Sequence, residues 1–231
     1  MLTVYAAASL GPALDQIKSA YPKGYGSLRV STGSSAALRT QIEQGAPADL
    51  FLSADTTNPQ ALVDSGLTNG PAIPFATNRL TIVVPEGNPA GITSPADLGH
   101  DGVRVIAAIE NVPIANYAEQ CVNKLGLLAG YPQDFAASYE ANVVSREENV
   151  GAVVSKIKLG EGDAAFVYLT DARSAGLPQV DIPADAQVVA TYAGVVLTRA
   201  QSPIATRRLL DWIRGPDGLA ILSELGFAPA P

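Results

Sequence analysis

A chain of 231 residues is long enough for one large domain or for two lobes of about 100–120 residues each. Its 47% hydrophobic and 16% charged content leaves no tract biased toward disorder, and it holds no run of about 18 apolar residues that could form a transmembrane helix. A net charge of −7 argues against a nucleic-acid partner and gives an anion no long-range attraction, so any anion site has to work through short hydrogen bonds.

Met1 leads straight into the strand-like Leu2-Thr3-Val4-Tyr5 with no signal peptide ahead of it. That fits a cytosolic protein or an exported one whose leader has been removed. From here short apolar runs alternate with helical periodicity, the pattern of parallel α/β units. Leu2–Ala6 reads as the first strand. Leu10, Ala13, Leu14, Ile17 and Tyr21 then fall at helical spacing, with Ser9 as N-cap and Pro12 in the first turn. Leu28-Arg29-Val30 is a second strand, Ser35 caps a helix carrying Leu38 and Ile42, and Asp49–Ser53 is a third strand. A short helix around Pro59–Ser65 ends at Gly66.

Arg79 to Pro85 is the strongest strand signal. Ser94-Pro95 opens a short helix, Val103–Ala108 is a strand, and a helix from about Asn116 ends near Gly126. Asn142-Val143-Val144 is a strand, and Ser145-Arg146-Glu147-Glu148 has the form of a capping box before a helix holding Val150, Val153, Val154 and Ile157. Ala164 to Tyr168 is a buried strand, Thr170 to Ala175 a helix, and Val188–Thr191 and Gly194–Leu197 two further strands. Helices over Ile204–Ile213 and Gly218–Leu225 close the chain. Two sheets account for this inventory better than one, with chain crossings, and hence hinge strands, near 79–84 and 188–196. The first lobe is then discontinuous, 1–79 and 191–231, and the second spans 80–190.

The single Cys121 sits in a helical pattern and reads as a small buried hydrophobe; one cysteine excludes an intrachain disulfide and a thiolate metal cluster. His100, the only histidine, lies in a turn beside Asp101. One His and no serine in that turn disfavour a Ser-His-Asp hydrolase, and a multi-histidine metal site is impossible. No nucleotide fingerprint fits: Gly24-Tyr25-Gly26 precedes a strand, and no Lys follows Gly33 in the Walker manner.

Ser9 and Ser35 each follow a strand and open a helix. As plain N-caps each contributes about 1 kcal/mol. As ligand donors, hydroxyl and backbone N–H would face an anion at the positive end of a helix dipole. Two such turns at the carboxyl ends of consecutive strands stand where open α/β sheets place ligands. Val150, near the start of its helix, has a core side chain and a first-turn N–H with no intrahelical acceptor. Ile114, after Pro113, offers its N–H in the same way. Tyr168 ends a buried strand, where core packing is the plain reading and its hydroxyl needs a partner.

At these residues the chain resembles the molybdate-binding proteins of ABC importers. The likeness runs along essentially the whole chain and is carried by Ala6-Ala7-Ala8-Ser9-Leu10, Gly33-Ser34-Ser35, Gln41–Asp55, Asn78-Arg79-Leu80, Glu148-Asn149-Val150, Gly160 to Ala164, Val167 to Ala172 and Gly226-Phe227. The resemblance implies an α/β, two-lobed periplasmic-binding-protein fold of type II, each lobe a mostly parallel sheet flanked by helices, with the ligand in the cleft between lobes. It further implies ligand contacts from Ser9 and Ser35 through hydroxyl and N–H, from Ile114 and Val150 through N–H, and from Tyr168 through its hydroxyl. Pro113-Ile114-Ala115-Asn116 departs from the Pro-Ala-Gly frequent in that family, and Ile114 is bulkier than the usual small residue.

A monomeric, extracytoplasmic protein that binds molybdate, with tungstate beside it, and delivers it to a membrane permease follows from the resemblance. It takes no cofactor, no metal cation and no nucleic acid. Other readings are a binder of sulfate, chromate, phosphate or another small anion, an intracellular sensor on the same fold, and a hydrolase using Ser9 or Ser35 as nucleophile. All the proposed contacts are neutral donors, which suits a deprotonated dianion and disfavours hydrogen phosphate, whose proton wants an acceptor.

Overall fold

Alternating burial along Leu2–Ala7 makes β1 the central strand of a parallel trio. The chain leaves β1 through a 3-10 turn, Ala8–Leu10, into α1 (Gly11–Ala20), where Pro12 occupies the first turn and its lack of an N–H costs nothing. Next come β2 (Leu28–Gly33), α2 (Ser35–Glu43), β3 (Leu50–Ser53), α3 (Thr57–Asp64) and the long β4 (Ile73–Val83). β1 pairs in parallel with β2 and β3. The computed structural model describes Met1 through Pro231 and divides into two compact units, Met1–Asn78 with Ala190–Pro231, and Arg79–Val189.

The second unit contains the end of β4, then β5 (Val105–Ala108), α4 (Pro113–Leu125), α5 (Phe135–Ala141), β6 (Val143–Glu147), α6 (Val150–Lys158), β7 (Ala165–Tyr168), α7 (Leu169–Ala175) and β8 (Gln179–Val180). β5 and β6 are parallel, a parallel bridge joins Val105 to Ala164 just before β7, and β7 and β8 run antiparallel to β4. α4 buries Ile114, Ala118, Cys121, Val122 and Leu125, a single stripe at helical spacing.

The first unit resumes in β9 (Val189–Val196), then α8 (Pro203–Arg214), α9 (Pro216–Glu224) and β10 (Ala228–Pro229). β9 lies antiparallel to β3, and β10 antiparallel to β4. The sheet is therefore parallel across β2, β1 and β3 and antiparallel at the strands that arrive after the chain's excursion through residues 79–189. β3, with a strand on each side, is buried at all four of its residues. Leu38, Ile42, Phe51, Leu62 and Val195 pack as one core cluster of this unit. Asp49 pins its strands: Oδ2 accepts from Thr3 N and Oδ1 from Gln201 N, both at 2.7 Å.

Several elements differ from the sequence reading, each for a local reason. Val188–Thr191 and Gly194–Leu197 belong to one strand, β9. A Cβ on Gly194 would sit 2.8 Å from a Leu52 methyl and 3.0 Å from a Leu210 methyl, so this glycine permits close packing and breaks nothing. Ser145–Glu147 does not cap α6. Ser145 Oγ donates to Glu147 Oε1 at 2.6 Å and accepts from Lys156 Nζ at 2.8 Å, while Asn149 caps the helix by accepting from Ala152 N at 3.0 Å. α4 begins at Pro113 rather than near Asn116, so Ile114 lies in its first turn. α5, with Phe135 and Tyr139 buried one helical turn apart, had no counterpart in the sequence reading.

Candidate functional site

The final paired residues of β1 and β2 are Ala7 and Gly33. Ser9 and Ser35 each stand two residues beyond them, so the structure brings both serines to the carboxyl edge of the first unit's sheet. Both are buried. Neither is the N-cap that its sequence position suggested. Ser9 lies within the 3-10 turn ahead of α1, whose N-cap is Leu10. Ser34 caps α2 by accepting from Ala37 N at 3.1 Å, which leaves Ser35 as the first helical residue. A serine that does not cap keeps its hydroxyl for other work. The Ser35 N–H lies in the first turn, where the helix supplies no acceptor.

Both hydroxyls are held by neutral groups. Ser9 Oγ is 2.8 Å from Tyr192 Oη, and Ser35 Oγ accepts from Ala54 N at 3.1 Å. Behind Ala54, Asp55 takes Ser53 Oγ at 2.8 Å and Asn58 N at 3.0 Å on one oxygen, and Asn58 Nδ2 at 2.8 Å on the other. All three residues are buried, so this carboxylate is satisfied within a short loop and braces it. Sequence reasoning did not single out Tyr192 or Asp55. The signal for Tyr192 was present: a tyrosine within an apolar strand needs a hydrogen-bond partner.

In the second unit, Ile114 occupies the second position of α4 behind Pro113, with no side-chain cap at Val112. Val150 is the first residue of α6. Tyr168 ends β7 at the N-cap position of α7, 1% exposed, its ring edge-on to Tyr117 at 6.3 Å between centroids. Ile114 and Val150 each follow a strand of this unit, as the two serines do in theirs, and their side chains are buried, leaving backbone N–H groups as their polar contribution. A carboxylate also belongs to the region. Asp171, in the first turn of α7, has a buried Oδ2 without a hydrogen-bond partner, and burial pushes its carboxyl up to about 7.

Cys121 is fully buried, and burial pushes its thiol up to about 12, an inert environment. The His100 side chain is 71% exposed and 3.7 Å from Asp97; no imidazole is bonded to Ser9 or Ser35. No three His, Cys, Asp or Glu side chains gather into a group able to hold a metal ion. No helix is long and apolar enough to cross a membrane.

The family model described as bacterial extracellular solute-binding protein matches residues 2–228. The molybdate-binding protein ModA of Mycobacterium tuberculosis (strain ATCC 25618 / H37Rv) is 35% identical over 231 residues, covering 98% of this chain and 84% of that protein. The solved periplasmic molybdate-binding protein of Azotobacter vinelandii superposes with a TM-score of 0.84 at 24% identity over 100% of both chains, a likeness that speaks for the fold. A more distant relative, aconitate isomerase from Pseudomonas sp, is 22% identical over 240 residues, 100% of this chain and 88% of that protein. The full-length family match and the 35% identity together show that this chain belongs to the bacterial extracellular solute-binding protein family.

Proposed function

We propose that this protein captures a tetrahedral oxyanion outside the cytoplasm, molybdate first and tungstate beside it, and delivers it to the membrane permease of an ABC importer. The two units act as lobes hinged at β4 and β9, and each contributes donors to one ligand: Ser9 and Ser35 by hydroxyl and N–H, Ile114 and Val150 by N–H, Tyr168 by its hydroxyl. The observation that carries the reading is the pair of buried serines at matched offsets beyond parallel β1 and β2, each held by a neutral partner. The 35% identity to a molybdate-binding protein supports the choice of ligand. One chain supplies every donor, so a monomer suffices.

Seven donors at about 1.5–3 kcal/mol each give a gross attraction of about 10–20 kcal/mol. Desolvation of the ion and closure of the lobes oppose it, leaving a net of about −10 to −12 kcal/mol, a nanomolar affinity. No chemical step belongs to this reading, because the serines are bonded to a phenol and an amide rather than to a base. A thermal-shift panel of oxyanions tests it: molybdate and tungstate raise the melting temperature strongly, sulfate weakly and phosphate hardly at all. A panel in which no oxyanion shifts the transition sinks the proposal.

A further inference from the structure

At Ser35 the direction of the supporting hydrogen bond is fixed, because the Ala54 amide can only donate. A serine oxygen that accepts in this way keeps its own single proton to give away. Ser9 Oγ has a different partner, the Tyr192 phenol oxygen at 2.8 Å, and between two hydroxyls the distance alone does not set which one donates. Tyr192 is entirely buried on β9, and its ring is fixed edge-on against Phe75 at 6.2 Å and Phe227 at 5.3 Å. A phenol is a more acidic hydroxyl than an aliphatic alcohol, and therefore the better donor of the two.

We propose that Tyr192 is a specificity-determining residue: its phenol donates to Ser9 Oγ, turns the Ser9 proton toward the bound oxyanion, and takes up one of the two lone pairs with which that hydroxyl could accept from a protonated ligand. The inference rests on the oxyanion reading above and adds to it the device that aims Ser9 as a donor. Hydrogen phosphate and hydrogen arsenate carry an O–H that needs an acceptor, whereas molybdate and sulfate carry none. Occupying one acceptor lone pair of each serine from within the protein, and aiming its proton at the ligand, disfavours the protonated ions without any charged group.

Tyr192→Phe keeps the ring and removes only the phenol oxygen. Calorimetry with molybdate and with hydrogen phosphate is run on the wild type, Tyr192→Phe, Ser9→Ala and the double variant, with the ligand-free melting temperature as the folding control. The expected result is a molybdate affinity reduced about tenfold with phosphate affinity held or raised, so that the ratio of the two contracts, and no further contraction when Ser9 is already alanine. Equal weakening of both anions, unchanged affinities, or the same contraction in the Ser9→Ala background overturns the inference. Should Tyr192→Phe not fold, 3-fluorotyrosine at position 192, a stronger donor of nearly the same size, is expected to widen the ratio, and no widening overturns the inference equally. A wild type that binds no oxyanion at all is a different failure, that of the proposed function itself.

Discussion

The Ala54 amide reaches back across 19 residues of sequence to donate to Ser35 Oγ at 3.1 Å. This one bond ties the loop after β3 to the first turn of α2, and so ties a candidate ligand donor to the end of the next strand in the chain. Ser35→Ala removes the hydroxyl and strands a buried amide. Oxyanion affinity is expected to fall by about 1.5–3 kcal/mol, and stability by about 1–3 kcal/mol. Titration calorimetry and urea unfolding on the same preparation separate the two losses, and unchanged affinity would take Ser35 out of the site.

Asp55, the next residue, braces the loop that carries that amide. Its carboxylate accepts from Ser53, from the Asn58 backbone and from the Asn58 side chain. Replacing it by alanine leaves buried donors without partners, at a cost of about 3–5 kcal/mol for breaking a buried charged network. Asp55→Asn retains one acceptor oxygen and is expected to lose roughly half as much. Urea midpoints rank the three proteins; an alanine variant as stable as the wild type would mean that the loop is held by something else.

The elements that carry these residues were legible because parallel α/β units write themselves as short apolar runs and 3.6-residue stripes. β3, buried at every position, and α6, with its stripe of Val150, Val153, Val154 and Ile157, are the clearest cases. The caps were not legible to one residue. Ser34 and Ser35 are chemically equivalent in sequence, and only the helix geometry decides which of them accepts from Ala37. Nor was the support behind the serines visible: Ser9 and Tyr192 are 183 positions apart, a pairing that topology alone creates. Gly194 misled in the opposite direction, since a residue that often breaks strands here only makes room for Leu52 and Leu210.

Gly218 shows the same use of a glycine in the first turn of α9. A Cβ there would come within 2.6 Å of Ile213 Cα and closer still to its carbonyl oxygen, backbone atoms that cannot rotate away. Gly218→Ala is therefore expected to destabilise by about 2–4 kcal/mol, although alanine is the better helix former at an ordinary position. A melting temperature at or above that of the wild type would show that α8 and α9 separate without penalty.

Two groups of carboxylates give stability opposite dependences on pH. Burial works to raise the Asp163 carboxyl, but hydrogen bonds from the Arg104 side chain and backbone, with the guanidinium charge, outweigh it and hold the group below its ordinary value. Glu147 is held low in the same sense, burial being outweighed by Ser145 and Lys156. A carboxyl with a depressed folded pKa contributes stability in full above its unfolded value of about 4, and loses it as the pH falls through the folded value. Asp171 runs the other way. Its folded value of about 7 keeps it protonated where the unfolded chain has ionised, so its penalty is absent below about pH 4, grows up to pH 7 and is constant above. Asp171→Asn should accordingly melt with the wild type near pH 4 and above it at pH 8, whereas Asp163→Asn should melt below the wild type at pH 7 and converge with it in acid. Melting temperatures across pH 3–9 test both. An Asp171→Asn gain that is the same at pH 4 and pH 8 would show that this carboxyl does not titrate in the range its burial dictates.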